Sequence, residues 1–178
     1  MRSRIAPALL AVALAPLAAG CGDDAPRPGT VAATHAVGDV VPFVLSRYDG
    51  GKETSTALEV TVLGMRRGTP DDLADFDMGA DADATPYYVR VRFRNTDDAA
   101  LTRWSFPDPL GADLDSGAQA RQIVLTAPFP ACTTPRTTTL APGATLTGCA
   151  IFVAPRGRRV TTVLGNSDGT ALQTWNLG

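Results

Sequence analysis

Histidine is nearly absent: His35 is the only one in 178 residues. A Ser–His–Asp or Cys–His hydrolytic system needs an imidazole beside a nucleophile, and His35 stands near the chain's start with no such motif around it. Copper-carrier chemistry wants paired Met and His, whereas Met65 and Met78 have no histidine neighbour. Lysine occurs once, at Lys52, and every other basic residue is arginine, which we read as coding bias in a GC-rich genome. Cysteine is scarce too. The three present (Cys21, Cys132 and Cys149) have neither the CxxC spacing of redox motifs nor that of zinc sites. No glycine-rich phosphate loop occurs. The formal net charge of −2 gives no field that would draw nucleic acid or an anionic membrane to the molecule as a whole.

A long hydrophobic run is also missing. Ile5–Ala19 is apolar for fifteen residues, interrupted by Pro7 and Pro16, short of the roughly 20 that a spanning helix needs. Arg2 and Arg4 precede it and small residues end it, the pattern of a secretory signal. Leu17-Ala18-Ala19-Gly20-Cys21 resembles the bacterial lipobox. That resemblance implies cleavage after residue 20 and a diacylglyceryl group on the Cys21 thiol. The expected organisation is therefore a signal peptide at 1–20, a tether at 21–35 and one domain at 36–178, with the mature protein held at the extracytoplasmic side of the cell membrane. Residues 22–34 are polar and rich in Pro and Gly, with nothing to bury.

What the chain does contain is short strands. Tyr87–Thr96 alternates strictly, with Tyr87, Val89, Val91 and Phe93 on one face and Tyr88, Arg90, Arg92 and Arg94 on the other. This period of two in aromatic and β-branched residues marks a half-buried central strand, and Asn95-Thr96-Asp97-Asp98 stops it with turn chemistry. Leu58–Leu63 alternates likewise and is expected to pair with it. Val40–Leu45 contains Pro42, which lacks a donor, so this run is expected to be an edge strand or an irregular entry. Further strands are read at Gln122–Thr126, Thr145–Val153, Val160–Leu164 and Thr170–Leu177; the third of these four is followed by an Asn166–Gly169 hairpin turn. Thr145–Val153 is apolar on both faces over its second half, as in a central strand. Trp104 and Phe106 share a face and are expected in the core. No helical periodicity is convincing, and the count of seven to nine strands predicts an all-β antiparallel sandwich.

Cys132 and Cys149, exported together into an oxidising compartment, are expected to pair. Pro70–Asp83 carries Asp71, Asp72, Asp75, Asp77, Asp81 and Asp83, a set of oxygen ligands for calcium on composition alone. Its spacing lacks the sixth-position glycine and twelfth-position glutamate of a helix–loop–helix calcium site. The plainer expectation is a solvated acidic loop with a helical turn at Asp71–Phe76, and no cofactor. Arg90, Arg92 and Arg94 stand about 7 Å apart along one strand face and are the candidate grip for an anionic ligand. The competing reading pairs them with acids of neighbouring strands such as Glu59.

Three features resemble a known family: Val37-Gly38-Asp39, the strand-then-Asn-Thr turn at Tyr87–Thr96, and Leu140-Ala141-Pro142-Gly143 followed by Gly148, Phe152 and Pro155. They are similar to the immunoglobulin-like domain of Gram-positive and actinobacterial lipoproteins of unknown function. Its fold is similar to that of the secreted mycobacterial immunoprotective antigens, also called telokin-like. The resemblance covers roughly residues 36–178 and brings no catalytic residues. Pro70–Asp83 and the Pro-rich stretch Ala127–Pro135 are longer than the family pattern. The expected function is non-enzymatic: a protein or envelope component bound through the surface, with a calcium- or small-ligand-binding module using residues 70–83 as the alternative.

Overall fold

Two sheets, antiparallel except for one parallel edge pair in the smaller, pack their apolar faces together. The computed structural model describes residues 33–49, 51–102, 104–125, 127–133, 139–167 and 172–177. Residues 1–20, expected as a signal segment, Cys21, most of the expected tether, Arg103, Thr126, Pro135 and the tip of the expected Asn166–Gly169 turn lie outside those residues.

The strands are β1 (Ala33–His35), β2 (Val41–Asp49), β3 (Lys52–Arg67), β4 (Thr85–Asn95), β5 (Leu101–Thr102), β6 (Leu110–Leu114), β7 (Arg121–Ile123), β8 (Thr139–Leu140), β9 (Thr145–Ala154), β10 (Val160–Gly165) and β11 (Gln173–Asn176). The larger sheet runs β2-β3-β4-β9-β7 and the smaller β1-β11-β10-β6, with β5 and β8 forming a separate ladder. β4 is central, as its alternation predicts. Val60, Val62, Val89, Val91 and Phe93 are wholly buried between the sheets, opposite Val163 and Trp175 of the smaller one. β9 lies between β4 and β7 and is buried on both faces from Gly148 onward. β2 is an edge strand, so the missing donor of Pro42 leaves the ladder intact. Its outer side is partly blocked: the Val44 N–H donates to Ser167 Oγ at 2.8 Å, and that hydroxyl donates back to the Val44 carbonyl at 3.2 Å. Trp104 and Phe106 join the core edge-to-face with Phe93, with ring centres 4.9 and 5.8 Å away.

Three expectations are corrected. Eleven strands are present among the described residues, not seven to nine. The additional ones include two- and three-residue ladders, too short for a period of two to show. The structured body begins before residue 36: Ala33–His35 pairs in parallel with β11, although its polar sequence gives no strand signal. Pro70–Asp83 is more than a solvated loop. It forms 3₁₀ turns at Pro70–Leu73 and Gly79–Asp81, and it buries Leu73 against Ala84 and Val153 with Phe76 and Met78 alongside.

The end of β4 is fastened by one side chain. Asn95 is fully buried. Its amide nitrogen donates to the carbonyls of Ala99 at 2.8 Å and Leu140 at 2.9 Å, and its oxygen accepts from the Asp97 N–H at 3.0 Å. Its backbone bonds to Gly143 and Ala144 of the Ala-Pro-Gly turn, where Gly143 takes a φ of 71° that favours glycine. The two turn motifs, 45 residues apart, thus close on one residue. We predict that Asn95→Ala destabilises the protein by about 2–4 kcal/mol, since it strands two carbonyls and an N–H in a buried site. Asn95→Asp should be no better, because a carboxylate cannot donate. Chemical denaturation checks both.

Candidate functional site

The outward face of the larger sheet is set by strand register. Glu59, Arg94 and Thr145 stand in one cross-strand row; Thr61, Arg92 and Thr147 form the next; Gly64, Arg90 and Cys149 the third; and Arg66, Tyr88 and Ile151 the fourth. Arg90, Arg92 and Arg94 therefore form a column down the middle strand. The neighbouring column on β9 supplies two exposed threonine hydroxyls, and β3 supplies Glu59 and Thr61.

One half of this face is covered. Tyr88, Ile151, Cys149 and Cys132 form a small apolar cluster with Phe129, Ile123 and Leu125 packed on it. Beside it, the turns of residues 70–81 bury Leu73 on Val153. Cys132 and Cys149 are disulfide-bonded across a separation of 17 residues, with Cα atoms 5.2 Å apart. The link pins the 127–133 loop to β9 and closes a loop worth about 3 kcal/mol in the chain-entropy model.

The acidic segment is locked to the sheet through Asp72. The Tyr88 hydroxyl donates to Asp72 Oδ2 and the Thr69 hydroxyl to Oδ1, both at 2.9 Å. The Arg66 guanidinium lies 4.3 Å from the Tyr88 ring centre and 3.9 Å from Asp72. The Thr69 hydrogen bond, followed by that of Tyr88, holds the Asp72 carboxyl below the usual carboxylate range. Burial, followed by the hydrogen bond to Asp72, pushes the Tyr88 phenol well above its ordinary value. Gly68 makes room for this lock: a Cβ there would meet Tyr88 Cε2 at 2.6 Å.

The six aspartates do not converge. Asp81 pairs with Arg121, Asp77 accepts from the Gly79 N–H, and Asp71, Asp75 and Asp83 are exposed. Among the described residues no three His, Cys, Asp or Glu side chains are grouped as a metal ion requires. His35 lies on β1, with Nε2 2.7 Å from Gln173 Oε1 and its ring against Trp175.

The other half of the face is open. Val40, Glu59, Thr61, Arg92, Arg94 and Thr145 line a shallow depression of about 210 Å³. Arg94 pairs with Glu59 at 3.1 Å, as the competing reading expected. Arg90 and Arg92, both exposed, make no ion pair among the described residues. The flanking threonines and Val40 give no sign of themselves in the sequence, because only pair register brings them beside the arginines. A bulge at Leu63 is in the same position: the register shifts between Val62 and Gly64 and leaves Leu63 exposed.

The class defined is an immunoglobulin-like β-sandwich. The fold is similar to that of the secreted protein MPT63 of Mycobacterium tuberculosis, at 17% identity over 82% of this chain and 98% of that one, with a TM-score of 0.54. An uncharacterised β-sandwich protein of Clostridium difficile 630 matches at 10% identity, 85% and 98% coverage and TM-score 0.51. The YjhA protein of Bacillus subtilis matches at 12%, 81% and 99%, and 0.50. Identities this low carry the fold alone. No protein-family model matches the chain, and no curated protein matches it in sequence.

Two outcomes test this division of the face. Asp72→Asn should lower stability at pH 7 by about 1–2 kcal/mol. The native carboxyl is held low, so its stabilisation is complete above the unfolded pKa of about 4 and fades as pH falls through the lower native value. The gap between wild type and variant should therefore close in acid, as followed by thermal melting from pH 7 to 2. In the same assay, millimolar calcium should leave the wild-type melting temperature unchanged; a rise of several degrees would assign the aspartates a cation.

Proposed function

We propose that this protein is an extracytoplasmic lipoprotein, anchored through Cys21, whose sandwich binds an anionic envelope component through Arg90, Arg92 and Arg94. The observation that carries the ligand reading is that Arg90 and Arg92 stand exposed without an acid partner among the described residues, while their neighbours Arg94 and Arg66 have one. Arg90 and Arg92 face threonine hydroxyls and a glycine instead, which suits an incoming oxyanion. The membrane-anchored reading rests on the lipobox-like Leu17–Cys21 and the basic, short apolar start. The secreted character of MPT63 supports an extracytoplasmic site. Among the described residues no helix is long and apolar enough to cross a membrane.

Binding without bond-breaking is the reading the site favours. The depression beside the arginines is shallow and holds no nucleophile next to a base, and the one histidine is engaged with Gln173 on the other sheet. Fatty-acid labelling in the native host should mark Cys21, and Cys21→Ser should release the protein into the soluble fraction in part, leaving a salt-sensitive remainder on envelope fractions. Adding Arg90→Gln, Arg92→Gln and Arg94→Gln should remove that remainder. Unlabelled Cys21 contradicts the anchor, and undiminished retention of the arginine variant contradicts the ligand face.

A further inference from the structure

Exposed apolar side chains are few among the described residues, and their placement is uneven. The large ones are Val37, Val40, Tyr48, Leu63 and Val124. Three of these five sit along one margin of the arginine face. Val40 lines the depression with Arg92 and Arg94. Leu63 is the bulged residue between the Val62–Val91 and Gly64–Arg90 pairs. Val37 belongs to the turn whose Gly38 N–H donates to the Val62 carbonyl at 2.8 Å, which sets that turn beside Leu63. Val37, Val40 and Leu63 are 42, 53 and 36% exposed. The face thus presents two guanidinium groups without acid partners, hydroxyls and a rim of aliphatic side chains. A soluble polyanion would use the arginines and leave the rim in water. A bilayer surface uses both, with lipid phosphates on the guanidinium groups and aliphatic side chains at the headgroup boundary.

Resting on the reading of this face as an anion site, we infer that its occupant is an anionic lipid surface, on which the sandwich lies flat. The chain length agrees. Cys21 and Ala33 are twelve residues apart, and at no more than about 3.6 Å per residue that segment spans up to about 40 Å. An anchored chain of this reach lets the face meet the membrane that holds it. Confinement near the bilayer makes a weak docking site sufficient.

The test uses the full chain carrying Cys21→Ser, so that no acyl chain contributes, in co-sedimentation with vesicles of phosphatidylcholine containing 30% phosphatidylglycerol, and with pure phosphatidylcholine. Binding is expected on the anionic vesicles only, and it should fade at high salt. Arg90→Ala with Arg92→Ala should weaken it about thirtyfold, and Val40→Asp with Leu63→Asp at least tenfold. All four positions are exposed, so each pair of changes should leave the thermal melt in place. Equal binding to both vesicles, or unchanged binding by either double variant, overturns the inference. Tighter binding of soluble polyphosphate than of vesicles overturns lipid docking while leaving the arginine face an anion site. Binding of neither, with retention on envelope fractions also unaffected by the arginine changes, removes both.

Discussion

The buried carboxamide of Asn95 ties together two turns that lie 45 residues apart in the chain. β4 supplies the middle of the core, and the burial of its apolar face specifies its register. Asn95 fastens the end of the strand by bonding to the turn that follows β4 and to the turn that precedes β9. With β4 and β9 fixed against each other, Arg92 falls opposite Thr147 and Arg90 opposite Cys149. A slip of one residue would turn the arginines into the core. The arginine face thus follows from the alternation of β4, whose end is fastened by one polar residue placed where burial without partners would be prohibitive.

The outer face of the same sheet is divided by two insertions. The aspartate-rich segment and the Cys132 loop depart in length from the immunoglobulin-like pattern, and both fold down over the same half of the sheet. They cover Tyr88, Ile151 and Val153, which would otherwise expose an apolar patch beside the arginines. The acidic residues keep this cover soluble on its outer side, and Asp72 fastens its inner side. The stretch thus packs on one half of the face, and the open half carries the arginines.

Much of this architecture is legible in the amino-acid sequence. Strict alternation announces β4 and its partner in β3, Pro42 allows an edge strand among its two readings, and the cysteine pair, with the export expected from the first residues, announces the disulfide. Of the three features that carry the resemblance to immunoglobulin-like lipoprotein domains, two include the Asn-Thr and Ala-Pro-Gly turns, which meet at Asn95. Less legible are features that depend on neighbours. The His35 strand takes its conformation from β11, and Leu73, Phe76 and Met78 look like scattered apolar residues until the sheet beneath them is in place. The exposed rim of Val40 and Leu63 depends on a bulge and an edge position, which a pattern of single residues does not reveal.

If the uncovered half of the sheet is the working surface, the protein's own arginines will report it. Arginine-specific dione labelling, read by mass spectrometry, compares the free protein with the protein bound to its native envelope. Arg90 and Arg92 should react freely in solution and be shielded on the envelope, while Arg156, exposed in the turn after β9, should react equally in both. Equal labelling of Arg90 and Arg92 in the two states, or shielding at Arg156 instead, would place the working surface elsewhere.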